Sequence, residues 1–134
     1  MNENPTVLVI EDDHIMLTLT TMMLKQAGFD VIAVGNAAEA EQCVHTASYD
    51  LVVTDLLMPY GSGFALIEAV RSRTEENNTP VIVVTSFANE DTVHALSLLN
   101  VSAVLKKPLT MDGLITAVKQ ELATTGVPAN VIKY

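Results

Sequence analysis

Cationic side chains are scarce in this 134-residue chain, where seven Lys and Arg stand against sixteen Asp and Glu for a formal net charge of −9. A surface with that balance repels phosphate backbones, which argues against nucleic-acid binding by the domain. Cysteine is scarcer still: Cys43 stands alone, so no internal disulfide can form and a reducing, cytoplasmic setting is expected. No apolar run approaches the roughly 18 residues that a membrane-spanning helix requires. The amino terminus, MNENPT, lacks the basic-then-apolar pattern of a signal peptide. Charged residues are 17% of the chain and hydrophobic ones 49%, a mixture that excludes disorder and has enough apolar mass for one core.

Two kinds of segment alternate along that core. Residues 6–10, 31–34, 51–54, 81–85 and 102–105 are short, apolar and mostly β-branched, as expected of strands buried on both faces of a parallel sheet. Between them lie stretches with helical spacing: Met16, Leu19, Met23, Leu24 and Ala27; Ala37, Ala40, Val44 and Ala47; Phe64, Ile67 and Val70; Val93, Leu96 and Asn100; Leu114, Val118 and Leu122. Gly28 suits a left-handed cap ending the first helix, and Asn36 with Glu39 suits a capping box opening the second. The loop 77–80 stops the third helix before the fourth strand. Five βα units with right-handed crossovers make a doubly wound α/β sheet with helices on both faces. Residues 124–134, with Gly126 and Pro128, read as a short tail or the start of a linker.

Ligands in such sheets bind outside the carboxyl ends of the strands. The first strand ends in Glu11-Asp12-Asp13, the third in Asp55, the fourth in Thr85-Ser86 and the fifth in Lys106-Lys107-Pro108. Carboxylates, a hydroxyl and an ammonium therefore converge on one edge. The carboxylates repel one another unless a cation sits among them, and hard oxygen ligands suit Mg²⁺. A lysine and a hydroxyl add counter-charge and hydrogen bonding for a phosphoryl group, and a carboxylate can itself be the nucleophile. Asp55, alone at the end of its strand, is the best-placed acceptor. Each feature alone is more often structural, and Asp13 also suits a helix N-cap. Together, at four strand ends, they point to phosphoryl transfer onto Asp55.

At these residues the chain resembles a bacterial two-component response regulator receiver domain. The resemblance rests on the acid pair after residues 6–10, the Asp-x-x-Met-Pro-x-x-x-Gly run from Asp55 to Gly63, Val84-Thr85-Ser86 and Lys107-Pro108. It covers residues 5–123 and implies a flavodoxin-like five-stranded parallel sheet in the order 2-1-3-4-5. It further implies that Asp55 accepts a phosphoryl group from a histidine kinase or a histidine phosphotransfer protein. Mg²⁺ is then held by Asp12 directly, by Glu11 largely through water, by Asp55 and by the backbone carbonyl of Leu57. Thr85 bonds one phosphoryl oxygen, Lys107 pairs with another, and the Lys107–Pro108 peptide is cis. The product is an aspartyl phosphate lost by slow autodephosphorylation, without turnover catalysis.

This sequence departs from the family pattern in three respects. The switch aromatic, three residues before the lysine, is Val104, which removes coupling by an inward-turning ring. Leu57 and Phe87 occupy positions that influence hydrolysis, and two apolar side chains there screen the attacking water and lengthen the phosphoryl lifetime. The chain reads as stopping without a DNA-binding or enzymatic output domain, and output through contact with a downstream protein is the expectation.

The first helix is unusually apolar on its outer side, with Ile15, Leu17, Thr18, Thr21 and Met22 expected to face solvent. Exposed apolar patches mark partner sites. In the family this helix docks on the phosphohistidine-bearing bundle, so Ile15, with Pro108 on the adjoining loop, is assigned to docking. His94 and Leu98 are expected outward on the fourth helix, a face that in the family makes dimers or output contacts. Arg71 and Arg73 read as a solvated helix end, Cys43 as a small buried hydrophobe beside Ala40 and Val44, and the three His lack zinc-ligand spacing. A phosphorylation-independent interaction module is the alternative. A phosphatase ranks below both, because Leu57 stands where such enzymes carry a second acid. A flavin site is opposed by the acids after the first strand.

Overall fold

The computed structural model describes residues 4–58, 61–73, 79–86 and 89–123. Parallel strands β1 (Thr6–Ile10), β2 (Asp30–Val34), β3 (Leu51–Asp55), β6 (Val81–Thr85) and β7 (Ala103–Lys106) form one sheet in the order β2-β1-β3-β6-β7. Counting these strands alone, the order is the expected 2-1-3-4-5. A two-stranded antiparallel ladder, β4 (Leu57–Met58) and β5 (Gly61–Ser62), follows β3 directly. Three strands run one charged residue beyond the apolar runs, taking in Asp30, Asp55 and Lys106. Ladder hydrogen bonds are made by the backbone, so a polar side chain at a strand end does not break the pairing.

Alternation along the strands divides the core into two layers. Leu8, Ile10, Val52, Val81, Val83 and Val104 face α2 (Ala37–Thr46), α3 (Gly63–Ser72) and α4 (Glu90–Ser97). Val7, Val9, Val53, Ile82, Val84 and Leu105 face α1 (His14–Gln26) and α5 (Met111–Ala123). Both faces are covered, as near-continuous apolar strands require.

The caps follow local chemistry. Asp13 accepts a hydrogen bond from the Met16 amide at 3.0 Å and Asn36 accepts one from Glu39 at 2.8 Å. Gly28 adopts φ 99, and the Gly28 and Phe29 amides donate to the Lys25 and Leu24 carbonyls in a Schellman closure. Asn100, at φ 58, closes α4 in the same manner. Cys43 is half-buried against the core layer that holds Ala40 and Val44.

Two sequence expectations are corrected. Leu19 is 43% exposed instead of facing the core, while Leu17 packs against the sheet instead of facing solvent. The inward stripe of α1 runs through Leu17, Thr20 and Leu24, because apolar residues ring the helix and small Thr20 fits close to the sheet. Nor are Arg71 and Arg73 a solvated end. The Arg71 guanidinium donates to the carbonyls of Leu99, Thr79 and Asn100, and Arg73 lies over the Tyr49 ring, 4.4 Å from its centroid. Part of the loop expected at 77–80, and the tail expected at 124–134, lie outside the described residues.

Candidate functional site

The carboxyl ends of β1, β3, β6 and β7 meet at one edge of the sheet. Glu11 continues β1 by donating its amide to the Val34 carbonyl at 3.1 Å, which turns its side chain into the site. The buried carboxylate accepts the Asp13 amide on Oε2 at 3.1 Å. Asp13 is engaged as the α1 cap, so Glu11 and exposed Asp12 are left to face the edge. Asp55 ends β3 and is 8% exposed.

Lys107 follows β7, and its amide donates to the Thr85 carbonyl at 3.0 Å. Its Nζ stands 2.9 Å from Asp55 Oδ2 and 3.1 Å from Glu11 Oε1. The Lys107–Pro108 peptide is cis, as expected. One carboxylate oxygen from each of Glu11, Asp12 and Asp55 lies within 4.8 Å of the others.

Three carboxylates therefore face one ammonium, and negative charge is in excess. Burial pushes the Glu11 carboxyl above the ordinary glutamate value and nearby Asp55 adds to the rise, while the Asp13 amide and Lys107 oppose it without cancelling it. Burial works against the Lys107 ammonium, but its bonds to Asp55 and Glu11 outweigh that and hold its pKa above the ordinary lysine value. Hard oxygen donors, no nitrogen or sulfur ligand among the described residues, and uncompensated negative charge suit a small divalent cation.

Thr85 is fully buried at the end of β6, in register with Lys106. Leu57 lies two residues beyond Asp55 in β4. The expectation about the Leu57 and Phe87 side chains falls outside what is described. Exposed Ile15, at 70%, lies in the first turn of α1, and exposed Pro108 follows Lys107.

Two features escaped the sequence reading. Glu11, expected to act largely through water, is an ion-pair partner of Lys107. Gly63, noticed only as a motif position, holds up the turn after Asp55. A Cβ there would stand 2.6 Å from the Asp55 carbonyl oxygen and 2.7 Å from Leu56 Cα, and the Gly63 amide donates to the Leu56 carbonyl at 3.0 Å. Its fixed spacing from Asp55 was the available signal.

The family model for the response regulator receiver domain matches residues 7–119. The chain belongs to the response regulator receiver domain family. It is 33% identical over 118 residues to the DNA-binding transcriptional regulator NtrC of Bradyrhizobium sp. (strain RP501 Parasponia), covering 88% of this chain and 24% of that protein. It is 30% identical over 118 residues to hybrid signal transduction histidine kinase D of Dictyostelium discoideum, covering 88% of this chain and 8% of that one. It thus spans a quarter or less of these relatives. The structure of the Francisella response regulator 1452 receiver domain superposes with a TM-score of 0.81 at 28% identity, covering 90% of this chain and 98% of that one.

Receiver domains are signalling modules of two-component systems and bind Mg²⁺ at an acidic pocket; this one has an acidic cluster of Glu11, Asp12 and Asp55. At the switch-aromatic position, this receiver domain buries Val104 in the core layer facing α4. No helix among the described residues is long and apolar enough to cross a membrane.

Proposed function

We propose that this receiver domain is a Mg²⁺-dependent phosphoacceptor. Asp55 takes a phosphoryl group from the phosphohistidine of a histidine kinase or phosphotransfer protein in the cytoplasm, and the signal passes on by protein contact. The observation that carries this reading is the buried Asp55 carboxylate held 2.9 Å from Lys107 Nζ with Glu11 and Asp12 beside it. On this reading the domain comprises residues 5–123, and residues 124–134 are a short tail or the start of a linker.

In the transfer, a carboxylate oxygen of Asp55 bonds to phosphorus, the phosphorus–nitrogen bond of the donor breaks, and its electron pair returns to the imidazole. Lys107, preorganised by Glu11 and Asp55, orients the acceptor and offers its ammonium to the added charge. Thr85 donates its hydroxyl to a second phosphoryl oxygen. Glu11, Asp12, Asp55 and the Leu57 carbonyl hold Mg²⁺, which supplies charge neutralisation to the incoming group. With leucine two residues beyond Asp55, no second acid activates water there, which supports slow autodephosphorylation instead of turnover.

Binding of beryllofluoride, a phosphoryl mimic, tests this reading. In the presence of Mg²⁺ it is expected to shift the backbone amide resonances of Asp55, Thr85 and Lys107, and Asp55→Asn is expected to abolish the shifts. Failure of the wild type to respond contradicts the reading. Buried Val104 favours a second reading, a module indifferent to phosphorylation, for which shifts confined to the site are expected.

Ile15 and Pro108 form part of the docking surface for the donor, supported by their exposure beside the site-bearing segments. Ile15→Glu is expected to slow transfer from the cognate kinase by about tenfold or more while leaving labelling by acetyl phosphate unchanged. Equal kinase rates for both proteins contradict the assignment. His94 and Leu98, the latter 73% exposed on the α4 side, support a weak homodimer or output contact there.

A further inference from the structure

Strand β3 is buried along its whole length, and Thr54 is the polar residue that precedes Asp55 within it. The residues before Glu11 on β1 and before Thr85 on β6 are apolar, Ile10 and Val84. Thr54 lies in register with Ile10 on one side and Val83 on the other. Alternation puts it on the face of Val52, which α3 covers. Valine has nearly the same shape and matches those neighbours, so what distinguishes threonine here is its hydroxyl. A hydroxyl buried without a partner destabilises a fold, and this one has a partner.

That partner is the acceptor's own backbone. Thr54 Oγ1 donates to the Asp55 carbonyl at 2.9 Å in a buried bond. The ring closed by this bond contains ψ of Thr54 and both φ and ψ of Asp55, the angles that set how the Asp55 side chain leaves the strand. The same carbonyl oxygen is hemmed in from α3, where a Cβ on Gly63 would stand 2.6 Å from it. At the far end of the side chain, Lys107 Nζ stands 2.9 Å from Oδ2. The acceptor is thus held at its backbone and at its carboxylate by different elements.

We propose that Thr54 is a positioning residue for phosphoryl transfer, aiming the Asp55 carboxylate through its bond to the Asp55 carbonyl. The inference deepens the phosphoacceptor reading and rests on it. In-line attack needs the carboxylate oxygen within about 3–3.5 Å of the phosphorus, and small misplacements slow the step steeply. Lys107 does not supply the aim alone, because its flexible four-carbon stem follows the carboxylate as it moves.

Three readouts on the whole chain test this, for the wild type, Thr54→Val and Thr54→Ser. Without ligand, the carbonyl-carbon resonance of Asp55 is expected to move upfield in Thr54→Val and to stay near the wild-type position in Thr54→Ser. Labelling by acetyl phosphate at saturating Mg²⁺, followed by intact mass, is expected to be about tenfold slower in Thr54→Val. Thr54→Ser keeps the hydroxyl and is expected to recover most of that rate. Urea unfolding shows whether each protein is folded under the labelling conditions, so that a loss of rate is not a loss of fold. Thr54→Ala, which also lacks the hydroxyl, carries the comparison if the valine variant does not fold. A wild-type rate in Thr54→Val, a serine variant as slow as the valine one, or an unmoved resonance overturns the inference and leaves the phosphoacceptor reading standing. If the wild type takes up no phosphoryl group, or Asp55→Asn takes it up equally, both fall.

Discussion

Replacing Gly63 by alanine is expected to destabilise the fold by about 2–3 kcal/mol, lowering the melting temperature by on the order of 10 °C. The added methyl meets backbone, at 2.6 Å from the Asp55 carbonyl oxygen and 2.7 Å from Leu56 Cα. No flexible side chain can move aside, so either α3 or the end of β3 shifts. Moving α3 breaks the 3.0 Å bond from the Gly63 amide to Leu56 and disturbs Leu66, Ile67 and Val70 in the core. Moving β3 displaces Asp55 itself, so phosphoryl incorporation is expected to fall along with stability. Urea unfolding and acetyl phosphate labelling check the two effects. A loss below about 0.5 kcal/mol, the size of an ordinary surface substitution, contradicts the argument from space.

Lys107→Met is expected to destabilise the domain by about 2–4 kcal/mol at neutral pH, because it leaves the carboxylates of Glu11 and Asp55 buried without the ammonium between them. The deficit should shrink on acidification. Glu11 has a raised pKa in the folded state, so its proton is held more tightly there than in the unfolded chain. Protonation therefore favours folding, and this contribution is complete below the ordinary carboxylate pKa and lost as pH rises through the folded value. Removing Lys107 takes away a group that opposes the rise, so the variant gains more than the wild type between about pH 7 and pH 5. Urea unfolding of both proteins at the two pH values measures this, and a deficit independent of pH contradicts it.

Much of the fold was legible because apolar β-branched runs and helical spacing report burial on both faces of a sheet. Alternation alone implied double winding; the strand order came from the family resemblance. The errors have a common cause. Hydropathy treats each residue by its own polarity, whereas Thr20 enters the core by being small and Arg71 is drawn inward by the carbonyls of Leu99, Thr79 and Asn100. Those partners are set by the turn of α4 and the approach to β6, which are distant in sequence from Arg71. The site's acids and Lys107 were visible because they interrupt apolar strands at their carboxyl ends. The bond between Lys107 and Glu11, and the space denied to Gly63, depend on distances that spacing does not encode.

The central claim is that Asp55 is the acceptor of a Mg²⁺-dependent phosphoryl transfer. Intact mass after incubation with Mg²⁺ and acetyl phosphate, beside Asp55→Asn and a sample without Mg²⁺, tests it most directly. One added phosphoryl group is expected in the wild type and none in the other two. No addition to the wild type, or equal addition to Asp55→Asn, would contradict the account.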